Sequence, residues 1–128
     1  MKVVIIDDEQ VSLFLIQQRL IHDGVATEKN VLSFQSAKEA LTSLVQHDKD
    51  FPDIILLDLN MPEMDGWKFL KELAAYEPKI TGQCRIFILT TSLDVLDEDR
   101  AKGHSMVAGF FHKPLSSEDI KKIVSTKP

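Results

Sequence analysis

Short apolar runs alternate along the chain with longer segments in which apolar and polar positions mix, and the alternation holds from one end to the other. The runs Val3–Ile6, Val31–Phe34, Ile54–Leu57, 86–89 and 107–111 are too short for helices and too apolar for solvated strands. They read as buried strands. The mixed segments 11–21, 37–45, 67–75, 95–102 and 120–124 repeat apolar residues at helical spacing. Repeated strand–helix units with strands this apolar predict an α/β fold, a doubly wound parallel sheet of five strands with helices on both faces.

Boundary residues agree with that parse. Gly24 follows the first helix, Ser36 is placed to cap the second, and Asp65 stands before the third, which Pro78 is expected to close. Ser92 or Asp94 starts the fourth helix and Gly103 ends it; Ser116 or Ser117, with Asp119 close behind, starts the last. The second helix is the weakest by propensity, although Ala37, Ala40, Leu41 and Leu44 still give it one apolar face. The first has the opposite character: Val11, Leu13, Phe14, Leu15, Ile16, Leu20 and Ile21 exceed one buried stripe, so part of its apolar surface is expected at solvent. That surplus is either scattered surface hydrophobicity or a partner-docking face.

Composition narrows the class. With 128 residues the chain is one domain, and 44% hydrophobic with 27% charged residues is the profile of a soluble globular protein. A net charge of −5 argues against general binding to a phosphate backbone, which needs clustered Lys and Arg. Cys84 is the only cysteine, which excludes an internal disulfide and a multi-cysteine metal site. No stretch approaches the ~20 apolar residues of a membrane span. A cytoplasmic protein without membrane insertion is expected, and Met1 directly before the first strand favours a natural single-domain protein.

In a parallel sheet the residues just past every strand gather along one edge, where open α/β sheets bind their ligands. Here those residues are Asp7-Asp8-Glu9, Gln35-Ser36, Asp58, Thr90-Thr91 and His112-Lys113-Pro114. Only the second strand ends without a charge or a threonine, as an edge strand would in the order 2-1-3-4-5. Asp7, Asp8 and Asp58 are thus brought together, and two such charges ~5 Å apart repel by ~3 kcal/mol at an effective dielectric of ~20. Carboxylates without His or Cys suit a hard cation that keeps its waters, Mg²⁺ or Mn²⁺ rather than zinc. Lys113 supplies a fixed positive charge from the far side.

These residues make the chain resemble, over its whole length, the receiver domain of two-component response regulators. The resemblance rests on Asp7-Asp8, Asp58 followed by Met61-Pro62 and Asp65-Gly66, Thr90, and Lys113-Pro114, in that order. It implies a flavodoxin-like fold and a phosphoacceptor module of a phosphorelay, in which Asp58 takes a phosphoryl group from a phosphohistidine of a sensor histidine kinase or histidine phosphotransfer protein. It further implies that Asp8, Asp58 and the Asn60 carbonyl bind Mg²⁺ directly, that Asp7 acts mainly through a bound water, and that Lys113 and Thr90 contact the phosphoryl oxygens. Small donors such as acetyl phosphate are expected to serve as well. Thr90 would be drawn inward on phosphorylation and Phe110 would follow it, while Phe111 packs on the other side as core. The surface of the fourth helix, fifth strand and last helix would be the output face for a downstream protein. The resemblance also implies a cis peptide at Lys113-Pro114.

His22, His47, His104 and His112 lack metal-ligand spacing and read as surface or incidental packing. Trp67, Phe69 and Leu70 read as core, and no glycine-rich phosphate loop occurs. Because the chain ends soon after the last helix, a stand-alone module that acts by binding, and not as an enzyme, is the leading expectation. The alternative is a Mg²⁺-dependent phosphohydrolase with an aspartyl-phosphate intermediate, which would use the same Asp58 but lacks an evident substrate-recognition insertion. A flavin binder is disfavoured, because the acidic edge is wrong for a flavin phosphate.

Overall fold

The computed structural model describes residues 1–46, 50–80 and 82–126. Five parallel strands, β1 (Val3–Ile6), β2 (Val31–Phe34), β3 (Ile54–Leu57), β4 (Arg85–Thr90) and β5 (Val107–His112), pair in the order β2-β1-β3-β4-β5. Every residue of β1 and β3 is buried, which is why these strands carry no polar alternation. Successive side chains enter opposite faces, so two cores form. Val4, Ile6, Ile55 and Leu57 face α2 (Ala37–Gln46) and α3 (Gly66–Leu73); Val3, Ile5, Ile54 and Leu56 face α1 (Gln10–His22) and α6 (Ser117–Ser125). A third, small cluster of Leu59, Ile88 and Ala101 lies beneath α5 (Val95–Lys102).

The helix starts reflect side-chain caps. Ser36 Oγ accepts from the Glu39 amide at 3.3 Å, and Asp65 Oδ1 accepts from the Lys68 amide at 2.8 Å. Of the two candidates for α5 it is Asp94 that caps, accepting from the Leu96 amide at 2.9 Å. Ser116 and Asp119 form a reciprocal capping box, so α6 begins at Ser117. Gly24, at φ +72°, allows the turn after α1, and Gly103 sits at the C-cap of α5.

Several details differ from the sequence reading. Pro78 does not close the third helical segment: a 3-10 turn over Ala74–Tyr76 leads into a four-residue helix, α4 (Glu77–Ile80), with Pro78 in its first turn. A first-turn proline tolerates helix because its missing N–H would have had no intrahelical partner. Strand β5 extends one residue further, with His112 opposite Thr90, beyond a register shift near Ile86/Phe87. Phe69 and Leu70 are fully buried as expected, but Trp67 is only half-buried. Along α1, Leu13, Ile16 and Leu20 face the core while Val11, Phe14 and Leu15 are 70%, 60% and 58% exposed. Among the described residues no helix is long and apolar enough to cross a membrane. His47 and Lys127-Pro128 lie outside them.

Candidate functional site

The ladder of the sheet runs on past the strand ends into the site. The Asp7 amide donates to the Phe34 carbonyl at 3.0 Å, the Asp58 amide to Ile6 at 2.9 Å, and the Lys113 amide to Thr90 at 2.9 Å. Backbone geometry therefore aims these side chains at a common point. The Lys113–Pro114 peptide is cis.

Asp7 is 1% exposed and fully engaged. Its Oδ1 accepts from the Glu9 amide at 3.0 Å, and its Oδ2 accepts from Ser12 Oγ at 2.6 Å and from Lys113 Nζ. The same ammonium stands 3.3 Å from Asp58 Oδ2, so Lys113 bridges the two buried carboxylates. Asp8 is half-buried at the mouth. One oxygen from each of Asp7, Asp8 and Asp58 lies within 4.8 Å of the others, an all-carboxylate set whose hard donors and open side fit a Mg²⁺ ion that keeps several waters. Asn60 sits in the exposed loop two residues past Asp58.

Burial raises the Asp58 pKa above the usual carboxylate range; the Lys113 charge opposes this, the Asp7 charge adds to it, and hydrogen bonds from Lys113 and Thr90 lower it. Burial pulls the Lys113 ammonium the other way, but the hydrogen bond to Asp7 and the charges of Asp58 and Asp7 prevail, so its pKa is raised. The site holds a partly desolvated carboxylate beside a firmly charged cation.

Thr90 is fully buried, and its hydroxyl accepts from the Ser92 amide at 3.2 Å while acting on the Asp58 carboxylate. It already lies inside the pocket. Phe110 is not part of the pocket: half-buried, it packs on the Leu59, Ile88 and Ala101 cluster, with its ring edge-on to His112 at 5.3 Å between centroids. Phe111 is half-buried against the core under α1 and α6, its ring 6.0 Å from that of Phe87. Gly66 lets α3 start against the loop, because a Cβ there would lie 2.7 Å from the Asp58 carbonyl oxygen. Glu63 adopts φ +65°, a left-handed conformation in the loop beside the site.

Ser12, which bonds Asp7, escaped the sequence reading. A lone hydroxyl in the first turn of an over-apolar helix, just after an acidic pair, was the available signal. Ser92 and Asp97 also escaped as a pair: Ser92 Oγ donates to Asp97 Oδ2 at 2.8 Å, close to Thr90.

A five-stranded 2-1-3-4-5 sheet that gathers an acidic triad, a lysine and a threonine at one edge is a doubly wound module with its polar groups where open α/β sheets bind ligands. The family profile of the response regulator receiver domain matches residues 3–125, and the chain belongs to that family. It is 30% identical over 125 residues to sporulation initiation phosphotransferase F of Bacillus subtilis (strain 168), covering 96% of this chain and 90% of that protein. It is 29% identical over 124 residues to hybrid signal transduction histidine kinase L of Dictyostelium discoideum, covering 96% of this chain but only 7% of that much longer protein. Among solved structures, a response regulator receiver protein from Dyadobacter fermentans superposes with a TM-score of 0.86 at 27% identity, covering 98% of this chain and 95% of that one. The chain is a phosphoacceptor signalling module of the two-component type; the receiver domain family is a signalling module and not a classical enzyme, and the phosphohydrolase alternative is not favoured.

Proposed function

We propose that Asp58 is the phosphoacceptor of this module. The observation that carries the reading is the convergence on Asp58 of a lysine ammonium, a buried threonine hydroxyl and an acidic pair. An Asp58 carboxylate oxygen attacks the phosphorus of a phosphohistidine; the P–N bond breaks with its electron pair passing to the imidazole, and a P–O bond closes the acyl phosphate. Asp8, Asp58 and the Asn60 carbonyl would hold Mg²⁺, which when bound would supply neutralisation of the charge on the transferring phosphoryl. Asp7 has both oxygens engaged by Glu9, Ser12 and Lys113, which supports a contribution through bound water. Lys113 and Thr90 receive the phosphoryl oxygens, and the small donor acetyl phosphate serves as well.

The donor is a sensor histidine kinase or histidine phosphotransfer protein in the cytoplasm. A groove of about 440 Å³ between Ser12, Arg19 and the exposed Val11 and Leu15 of α1 and Thr91, Lys113 and Pro114 supports docking there. Readout to a downstream protein uses the face of α5, β5 and α6, with Thr90 and Phe110 as the switch pair. The test is intact-mass measurement after incubation with acetyl phosphate and Mg²⁺. Wild type gains one phosphoryl group, Asp58→Ala gains none, and undiminished labelling of the variant overturns the assignment.

A further inference from the structure

Helix α5 has little core of its own. Ala101 is its one buried residue, and Val95 and Leu96 are 66% and 74% exposed. What grips it from the neighbouring helix is Trp67, at the start of α3. The indole Nε1 donates to Asp97 Oδ1 at 3.3 Å, and the Arg100 guanidinium carbon lies 4.4 Å from the ring centroid. The indole also flanks the Leu59, Ile88 and Ala101 cluster on which Phe110 rests. Asp97 and Arg100 stand three residues apart on one face of α5, so the grip has two points.

The second oxygen of Asp97 leads back to the phosphoryl pocket. It accepts from Ser92 Oγ at 2.8 Å, the Ser92 amide donates to Thr90 Oγ1 at 3.2 Å, and Thr90 is buried at the end of β4, the strand paired beside β3, which Asp58 directly follows. We infer that Ser92, Asp97 and Trp67 are positioning residues that couple the state of Asp58 to the seating of α5, a role resting on the assignment of Asp58 as phosphoacceptor. A phosphoryl group adds charge and strong acceptors beside Thr90. As the Thr90 hydroxyl turns its proton to that group, its hold on the Ser92 amide changes and the Ser92 hydroxyl shifts under Asp97. The thinly packed α5 is the element with two seatings, and Trp67 registers which is occupied.

Trp67 is the only tryptophan, so its emission reads the grip directly. The experiment follows emission and intact mass together as acetyl phosphate and Mg²⁺ are added. Wild type takes up phosphate and its emission shifts with the same time course. Ser92→Ala cuts the link but leaves the Trp67–Asp97 bond, so it takes up phosphate and loses the emission shift. Asp97→Asn retains the shift, because its amide accepts from the indole and donates to Ser92 Oγ, whereas Asp97→Ala loses it. Phosphate uptake by wild type without an emission shift overturns the coupling, as does a full shift in Ser92→Ala. Failure of wild type to gain mass instead strikes the assignment of Asp58, and the coupling falls with it.

Discussion

Replacing Lys113 by methionine keeps most of the side-chain volume and removes the one ammonium shared by Asp7 and Asp58, whose side chains are 1% and 7% exposed. At 3.3 Å and an effective dielectric of 20, the Lys113–Asp58 attraction alone is about 5 kcal/mol before desolvation. Without it, carboxylate oxygens within 4.8 Å repel by about 3.5 kcal/mol for each pair. Truncating one partner of a buried pair leaves an uncompensated charge and destabilises by roughly 3–5 kcal/mol. Asp58, whose pKa burial already raises, relieves part of this by taking up a proton, so a net loss of about 3 kcal/mol is expected. In urea, with a slope of about 2 kcal/mol per molar, the midpoint falls by about 1.5 M. The assay is urea unfolding monitored by far-UV circular dichroism at neutral pH, in EDTA and in saturating Mg²⁺. A divalent ion replaces the missing charge, so Mg²⁺ stabilises Lys113→Met more than wild type and narrows the gap. An unchanged midpoint in EDTA would refute the electrostatic reasoning, and so would equal stabilisation of both proteins by Mg²⁺.

The packing sets three further outcomes. Gly66→Ala forces a Cβ to within 2.7 Å of the Asp58 carbonyl oxygen, so it is expected to destabilise by roughly 1–3 kcal/mol and to slow phosphate uptake; retention of both properties defeats the close-approach argument. Ser116→Ala removes half of the capping box of α6 and is expected to cost about 1 kcal/mol, a drop of roughly 3–5 °C in calorimetric Tm. Burial pushes the Cys84 thiol up to about 12, so the native state holds its proton more tightly than the unfolded chain. The resulting stability is complete below about 9 and is lost as pH rises towards about 12, an effect Cys84→Ser would remove from alkaline urea titrations.

The strand order was legible because it is written in the residues just past each strand. Gln35-Ser36 is chemically bland where Asp58, Thr90 and Lys113 are not, and β2 lies at the edge. The convergence of Asp7, Asp8, Asp58, Thr90 and Lys113 was legible for the same reason, since parallel topology turns distance along the chain into proximity at one end of a sheet. Trp67 was not. Helical spacing assigns it to a core, but its polar nitrogen finds Asp97 thirty residues away on a helix whose own pattern is weak, and no local period encodes that meeting. Pro78 misled because proline stops a helix only when it falls inside one; after a 3-10 turn it starts a new one. The cap of α5 stayed open between Ser92 and Asp94 because both are good caps. Asp94 takes the role while the Ser92 hydroxyl turns to Asp97.

The amides of Asp7, Asp58 and Lys113 belong to the ladder of the sheet itself, not to the loops beyond it. Exchange of the Asp58 amide proton with solvent therefore requires the central β1–β3 pair to part, whereas the Asp7 and Lys113 amides need only the edge pairs β1–β2 and β4–β5 to open. Fluctuations that lift α5 or fray the loops leave the Asp58 backbone where it was. With Asp58 as the proposed phosphoacceptor, the lifetime of its acyl phosphate is expected to follow the surrounding side chains and the access of water to phosphorus more than breathing of that backbone.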